Sequence, residues 1–206
     1  MTDEYRVQLT DIKSKKGVER VNKILKTTAE LIAREGIGAL TVTRIAKESK
    51  TSMSSFYHFF PNVSSVVALL HKNHFSNIEE MIRDFNKNYD AKIWNEKSIK
   101  QFTYDLFTPF AMYLVKNKDY LIEIADKEDV YSDSVFFPFI EKVLKEKFIY
   151  LSDDEISKES NILYALAIGL LMQLYKQKRD VAYNYIPDIL KVITVYLVNI
   201  DSDRSH

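Results

Sequence analysis

The chain has 206 residues and no cysteine, and its 29 Lys and Arg balance its 29 Asp and Glu. Without thiols there is no disulfide framework, no thiolate catalysis and no thiolate metal site. The longest apolar run, Ile162 to Met172, is far short of the ~20 residues that cross a bilayer.

The hydrophobic content of 46% is enough to fill a core. With only four Gly and four Pro, and helical spacing recurring almost throughout, the expected fold class is all-α. The N-terminal stretch MTDEYRVQLTDIK is polar and mixed in charge, unlike a secretory signal, so a cytoplasmic protein is expected. Residues 1–15 show no periodicity and read as a flexible arm.

From Lys16, apolar residues recur at three and four through Val21, Ile24, Leu25, Ala29, Leu31 and Ile32, up to Gly36. This predicts a first helix ended by glycine. Thr41 is placed to cap a short second helix with Ile45 and Ala46 turned inward. A third short helix starts at Ser52 or Met53 and stops at Pro61, which cannot continue the backbone ladder. A long fourth helix follows, with Ser64 as its expected cap. A long helix, two short ones about three residues apart and another long one form a helix-turn-helix arrangement, with its turn at Lys50 to Ser52.

Further helices are expected at about 97–117, 119–126 and 133–150, interrupted by Pro109, the run Asp126 to Asp129, and Pro138. Two cleaner ones follow, from Asp153 to Gln177 and from Pro187 to about Ile200. These last two carry more apolar surface than one small domain covers, so they are the expected homodimer contact. Residues 85–150 hold 15 of the chain's 26 aromatics. Phe102, Phe107, Phe110, Tyr113, Phe136 and Phe137 are the candidate lining of an apolar ligand pocket, for a small apolar or aromatic effector. Core packing is the competing reading for each of these residues.

Charge is unevenly placed. Between Ile12 and Asn62 ten Lys or Arg stand against four Glu, an excess of six positive charges that the remainder of the chain offsets. Such a basic head is the footprint of a polyanion site. On a helix, Phe56 and Phe60 share one face, while Ser54, Ser55, Tyr57 and His58 look largely elsewhere. Hydroxyl, phenol and imidazole groups near Thr41, Thr43 and Arg44, beside a helix bearing Lys15, Lys16 and Arg20, suit a duplex backbone and base edges.

The run RVNKILKTTAELIAREGIGALTVTRIAKESKTSMSSFYHFFPNVSSVVALL, residues 20–70, resembles the N-terminal DNA-binding domain of TetR-family transcriptional regulators. The resemblance rests on Arg20, Ile24, Leu25, Ala29, Leu31, Gly36, Thr41, Val42, Ile45, Ala46, Ser52, Phe56, Tyr57, His58, Phe60, Val66 and Val67. It implies a helix-turn-helix domain at 16–70 and a ligand-binding and dimerisation domain at 71–206. It also implies a dimer on a palindromic double-stranded DNA operator, in most such proteins a repressor. Carried onto this chain, Thr41 is a phosphate contact, Thr43 and Arg44 face DNA, and Met53, Ser54, Ser55, Tyr57 and His58 form the recognition surface.

Two positions depart from the family pattern. Lys50 stands where a glycine usually joins the two short helices, and a left-handed backbone there costs roughly 1 kcal/mol. Val63 replaces a lysine that commonly clamps a phosphate, leaving the free amides of the fourth helix with Ser64 or Ser65 to substitute. His71 and His74 have no third ligand at matching spacing, so no metal site is expected. No cofactor is called for, and no Gly-rich phosphate loop, nucleophile elbow or Ser-His-Asp grouping points to an enzyme. The alternative to a regulator is a helical protein-interaction or lipid-binding module without sequence-specific DNA binding.

Overall fold

The computed structural model describes residues 14–126, 135–177 and 182–202. Among them the regular structure is helical: α1 (Lys15–Glu35), α2 (Val42–Glu48), α3 (Met53–Phe59), α4 (Val63–Asn88), α5 (Ala91–Glu96), α6 (Ile99–Lys116), α7 (Lys118–Asp126), α8 (Phe136–Lys147), α9 (Asp153–Gln177) and α10 (Ile186–Ser202), with short 3-10 turns at Ile37–Ala39 and Ala182–Tyr185. The all-α expectation holds. The chain forms two compact units, one from the described residues of Met1–Ser76 and Lys118–Lys127, the other from those of Asn77–Asn117 and Glu128–His206.

In the first unit, side-chain caps set the helix starts. Ser14 accepts the Gly17 N–H at 3.1 Å, so α1 begins at Lys15, one residue before its apolar period starts. Residues 1–13 of the expected arm lie outside the described residues. Thr41 accepts the Arg44 N–H at 3.2 Å and Ser52 accepts the Ser55 N–H at 3.1 Å. At α4 the expected cap is corrected. Asn62, not Ser64, receives the Ser65 N–H at 2.9 Å, and the Ser65 hydroxyl donates back to the Asn62 carbonyl at 2.7 Å. Because α4 already begins at Val63, Asn62 holds the cap position and Ser64 lies inside the first turn, where it cannot cap.

The core of this unit joins Val21, Ile24, Leu25, Leu31 and Ile32 of α1 to Ile45 of α2, Phe56 and Phe60 around α3, and Val66, Leu69 and Leu70 of α4. Phe56 and Phe60 are completely buried, each worth about 2 kcal/mol in removed apolar surface. The helix α7 packs on α1, burying Leu121 and setting Ile122 against the same core.

In the second unit α6 lies against α10, α8 against α5 and α9, and α9 against α10. Ser98 and Gln101 exchange bonds in a capping box that starts α6. Pro109 sits inside α6 and does not end it, because seven buried side chains on both sides hold the helix to its neighbours. The short α5 was not anticipated; Asp90 caps it and Trp94, almost wholly buried, anchors it. Its last carbonyls are collected by Lys147, whose Nζ donates to Trp94 at 3.0 Å, Asn95 at 3.3 Å and Lys97 at 2.5 Å. Pro138 falls in the first turn of α8, where a missing N–H costs nothing.

Candidate nucleic-acid interface

The turn between α2 and α3 is built on Lys50, with φ of 54°, the one left-handed non-glycine among the described residues. Around it the Thr51 N–H reaches the Ala46 carbonyl at 2.9 Å, and the Ser49 N–H reaches Ile45 at 2.9 Å. The departure from glycine therefore leaves the turn geometry intact and places the strain on a lysine.

With Phe56 and Phe60 drawn inward, the rest of α3 is set by helical geometry. Met53, Ser54, Tyr57 and His58 are exposed, Tyr57 by 54% of its surface, with its ring edge-on to Phe56 at 5.8 Å. Ser55 differs: its hydroxyl is buried and has no hydrogen-bond partner among the described residues. Phe59 is half-buried against the core. Thr41 and Thr43 are exposed, and since Thr41 Oγ1 accepts the Arg44 N–H, its own proton remains available to an outside acceptor. Lys15, Lys16 and Arg20 are exposed on the first two turns of α1. At the start of α4, Ser65 is buried and bonded to Asn62, whereas Ser64 is exposed.

Arg44 is held by carboxylates. Its Nη1 and Nη2 fork onto Glu35 at 2.6 and 2.5 Å, and its Nε donates to Glu48 at 3.1 Å. Arg34 closes the ring, with Nε on Glu35 at 2.7 Å and Nη2 on Glu48 at 3.1 Å. Hydrogen bonds from Arg44 and then Arg34 hold the Glu35 carboxyl down to about 2, and the same two guanidiniums hold Glu48 below its usual range. The sequence shows an Arg-Glu pair at 34–35 and an i,i+4 pair at 44 and 48, but not that the two pairs meet.

A profile of bacterial regulatory proteins of the tetR family matches residues 24–67, the segment from mid-α1 to the first turn of α4. The chain is similar to that family over these residues. Solved structures share its fold. A transcriptional regulator from Aquifex aeolicus is 17% identical, covering 88% of this chain and 99% of that one with a TM-score of 0.62. A TetR-family protein from Syntrophomonas wolfei is 14% identical over 87% and 95%, also with a TM-score of 0.62. Another from Haemophilus influenzae is 18% identical over 89% and 96%, with a TM-score of 0.52. No curated protein sequence matches the chain.

The matched segment, 24–67, is the helix-turn-helix part of the first unit, and over it the chain is similar to bacterial regulatory proteins. Its second unit packs aromatics closely. Tyr89 stacks on Trp94 at 4.4 Å, Phe85 on Phe110 at 5.5 Å, and Phe102 stands edge-on to both Trp94 and Phe148. Phe102 is fully buried in that cluster, and Phe137 lies edge-on to Tyr164. Phe107, Phe110 and Phe136 border a cavity of about 20 Å³, room for one water at most. A wider groove of about 430 Å³ opens between Met81, Pro109, Met112, Tyr113, Val115, Lys116 and Tyr183. Of the six aromatic candidates, Tyr113 lines it, and Asn77 donates to the Tyr113 hydroxyl at 3.1 Å.

No group of three or more metal-ligating side chains occurs among the described residues. His74 instead meets Asp119 of α7 at 2.9 Å. No helix among the described residues is long and apolar enough to cross a membrane.

Proposed function

We propose that this protein is a TetR-family regulator, a ligand-controlled repressor that binds a near-palindromic operator as a homodimer in the cytoplasm. The observation that carries the DNA-reading part is the division of α3: Phe56 and Phe60 are fully buried, and Ser54, Tyr57 and His58 stand exposed on the same two turns. A helix anchored by its aromatics presents hydroxyl, phenol and imidazole groups at fixed positions, as base-edge and phosphate recognition requires. Thr41, Thr43 and Met53 extend that surface, and Lys15, Lys16 and Arg20 supply positive charge from α1.

Dimerisation is assigned to α9 and α10. Val192, Val195 and Val198 recur every three residues along α10 and are each about half exposed, an apolar stripe that a second copy would cover. The effector is assigned to the 430 Å³ groove, whose size suits a small organic molecule and whose Met81 and Met112 adapt to its shape. An apolar or aromatic compound fits a lining of this kind.

Selection of duplexes from genomic fragments by the purified protein, followed by sedimentation of the complex, tests the reading. The expected result is enrichment of inverted repeats bound by an even number of protomers, with half-sites about one helical turn, ~34 to 36 Å, apart or somewhat more. No enrichment at physiological salt would instead favour a helical interaction or lipid-binding module.

A further inference from the structure

We propose that Arg44 acts on DNA recognition as a positioning residue, clasped by Glu35 and Glu48, and that these two glutamates support operator binding although each adds negative charge beside the recognition unit. The proposal rests on the DNA-binding role stated above.

Three observations carry it. First, the ring is closed: Arg34 and Arg44 each bond to both Glu35 and Glu48, and two cations face two anions. Arg44 spends donors on Nε, Nη1 and Nη2 within the ring, so its charge is neutralised before any phosphate arrives. Releasing it toward DNA would leave Glu35 and Glu48 sharing Arg34 alone, an uncompensated negative charge beside the same polyanion. Second, the ring spans two elements. Arg34 and Glu35 end α1, whereas Arg44 and Glu48 lie on successive turns of α2. Between the two helices the chain makes only Gly36, a 3-10 turn, Leu40 and the cap Thr41, so the clasp fixes the direction in which α2 leaves α1. Third, α3 follows α2 through the tight Lys50 turn, with little freedom to compensate for a shift of α2.

An isolated surface ion pair would contribute little, but a forked Arg–carboxylate contact within a network is the exception. The side chains of Glu35, Arg44 and Glu48 are each only about a third exposed, which limits their screening by salt. The clasp therefore sets the angle at which Tyr57 and His58 meet a groove. Its effect belongs to specificity and not to the count of phosphate contacts.

The test uses the full chain and a duplex that the wild-type protein enriches from a random-sequence pool, with a scrambled duplex of the same composition as control. Glu35→Gln removes a negative charge near DNA, so electrostatics alone would tighten binding. The clasp requires the opposite: affinity for the selected duplex falls roughly 10-fold, while affinity for the scrambled duplex holds or rises. Arg44→Lys keeps the charge without the fork and should show the same loss of preference. For Arg44→Ala the slope of log affinity against log salt stays at the wild-type value.

Binding by Glu35→Gln as tight as wild type, or tighter, overturns the proposal. So does a salt slope reduced by about 0.9 in Arg44→Ala, the signature of one lost phosphate contact. Melting curves confirm that each variant is folded at the assay temperature, and a variant that is not is replaced by Glu48→Gln, which opens the ring from its other side. A ring that only stabilises the fold would leave the ratio of selected to scrambled affinity unchanged. If the wild-type protein enriches no duplex, the DNA-binding role fails and the proposal fails with it; enrichment with unaltered preference in the variants sinks the clasp alone.

Discussion

His74 of α4 and Asp119 of α7 form a buried pair, Nε2 to Oδ2 at 2.9 Å, although 45 residues separate them in the chain. The Tyr120 ring stacks on the imidazole at 4.7 Å and lies 6.0 Å from that of His71. This polar contact and the burial of Leu121 tie α7 into the first unit. Replacing Asp119 by Ala leaves a buried imidazole without its carboxylate and should lower unfolding free energy by about 1–3 kcal/mol. Urea denaturation of Asp119→Ala, His74→Ala and the double variant checks it. The double variant should lose less than the sum of the two, because each single change already removes the His74–Asp119 contact.

Neighbouring aromatics on α3 should respond in opposite ways. Phe56→Ala removes a fully buried ring at the junction of α1, α2 and α4, and should cost about 3–5 kcal/mol of stability. Tyr57→Phe deletes one exposed hydroxyl, leaving the melting temperature essentially unchanged while weakening binding to a selected duplex. Unchanged affinity would take the Tyr57 hydroxyl off the recognition surface.

Lys50 holds φ of 54°, where a Cβ is unfavourable. Lys50→Gly should relieve that strain. The roughly 1 kcal/mol gain is partly offset by the greater freedom glycine has when unfolded, leaving a net stabilisation of about 0.5 kcal/mol or less. Lys50→Ala keeps the Cβ and removes the rest of an exposed side chain, so its denaturation midpoint should stay near wild type.

The Glu35 carboxyl, lowered from 4.5 to about 2 by Arg44 and Arg34, predicts a pH signature. Because its folded value lies below the unfolded one, its stabilising contribution is complete above pH 4.5 and disappears as the pH falls toward 2. The melting temperature of Glu35→Gln should thus lie below that of wild type at pH 6, and the gap should narrow below pH 4.5. A constant gap between pH 6 and pH 2.5 would show that the depressed carboxyl is not what the variant lost.

Much of the first unit was legible in the sequence because its signals are local. Caps at Thr41 and Ser52, a break at Pro61 and the four-residue step from Phe56 to Phe60 each act within one or two turns. Where a local signal misled, a competing local group had won, as Asn62 did over Ser64 at the start of α4. Pro109 misled for another reason: packing on both sides of α6 outweighs one forfeited hydrogen bond.

From its sequence alone the chain determined an all-helical fold, a basic helix-turn-helix head and a third helix whose aromatics divide between core and surface, since helical periodicity converts spacing directly into facing. Tertiary structure decided what depends on residues far apart in the chain. It brought Glu35 and Glu48 around Arg44, set Asp119 against His74, turned the Ser55 hydroxyl inward and opened a groove beside Tyr113 while filling the space around Phe102 and Phe110. Most of these are meetings of side chains on different helices. No spacing rule within one helix encodes them, because the packing of the whole unit chooses which faces approach.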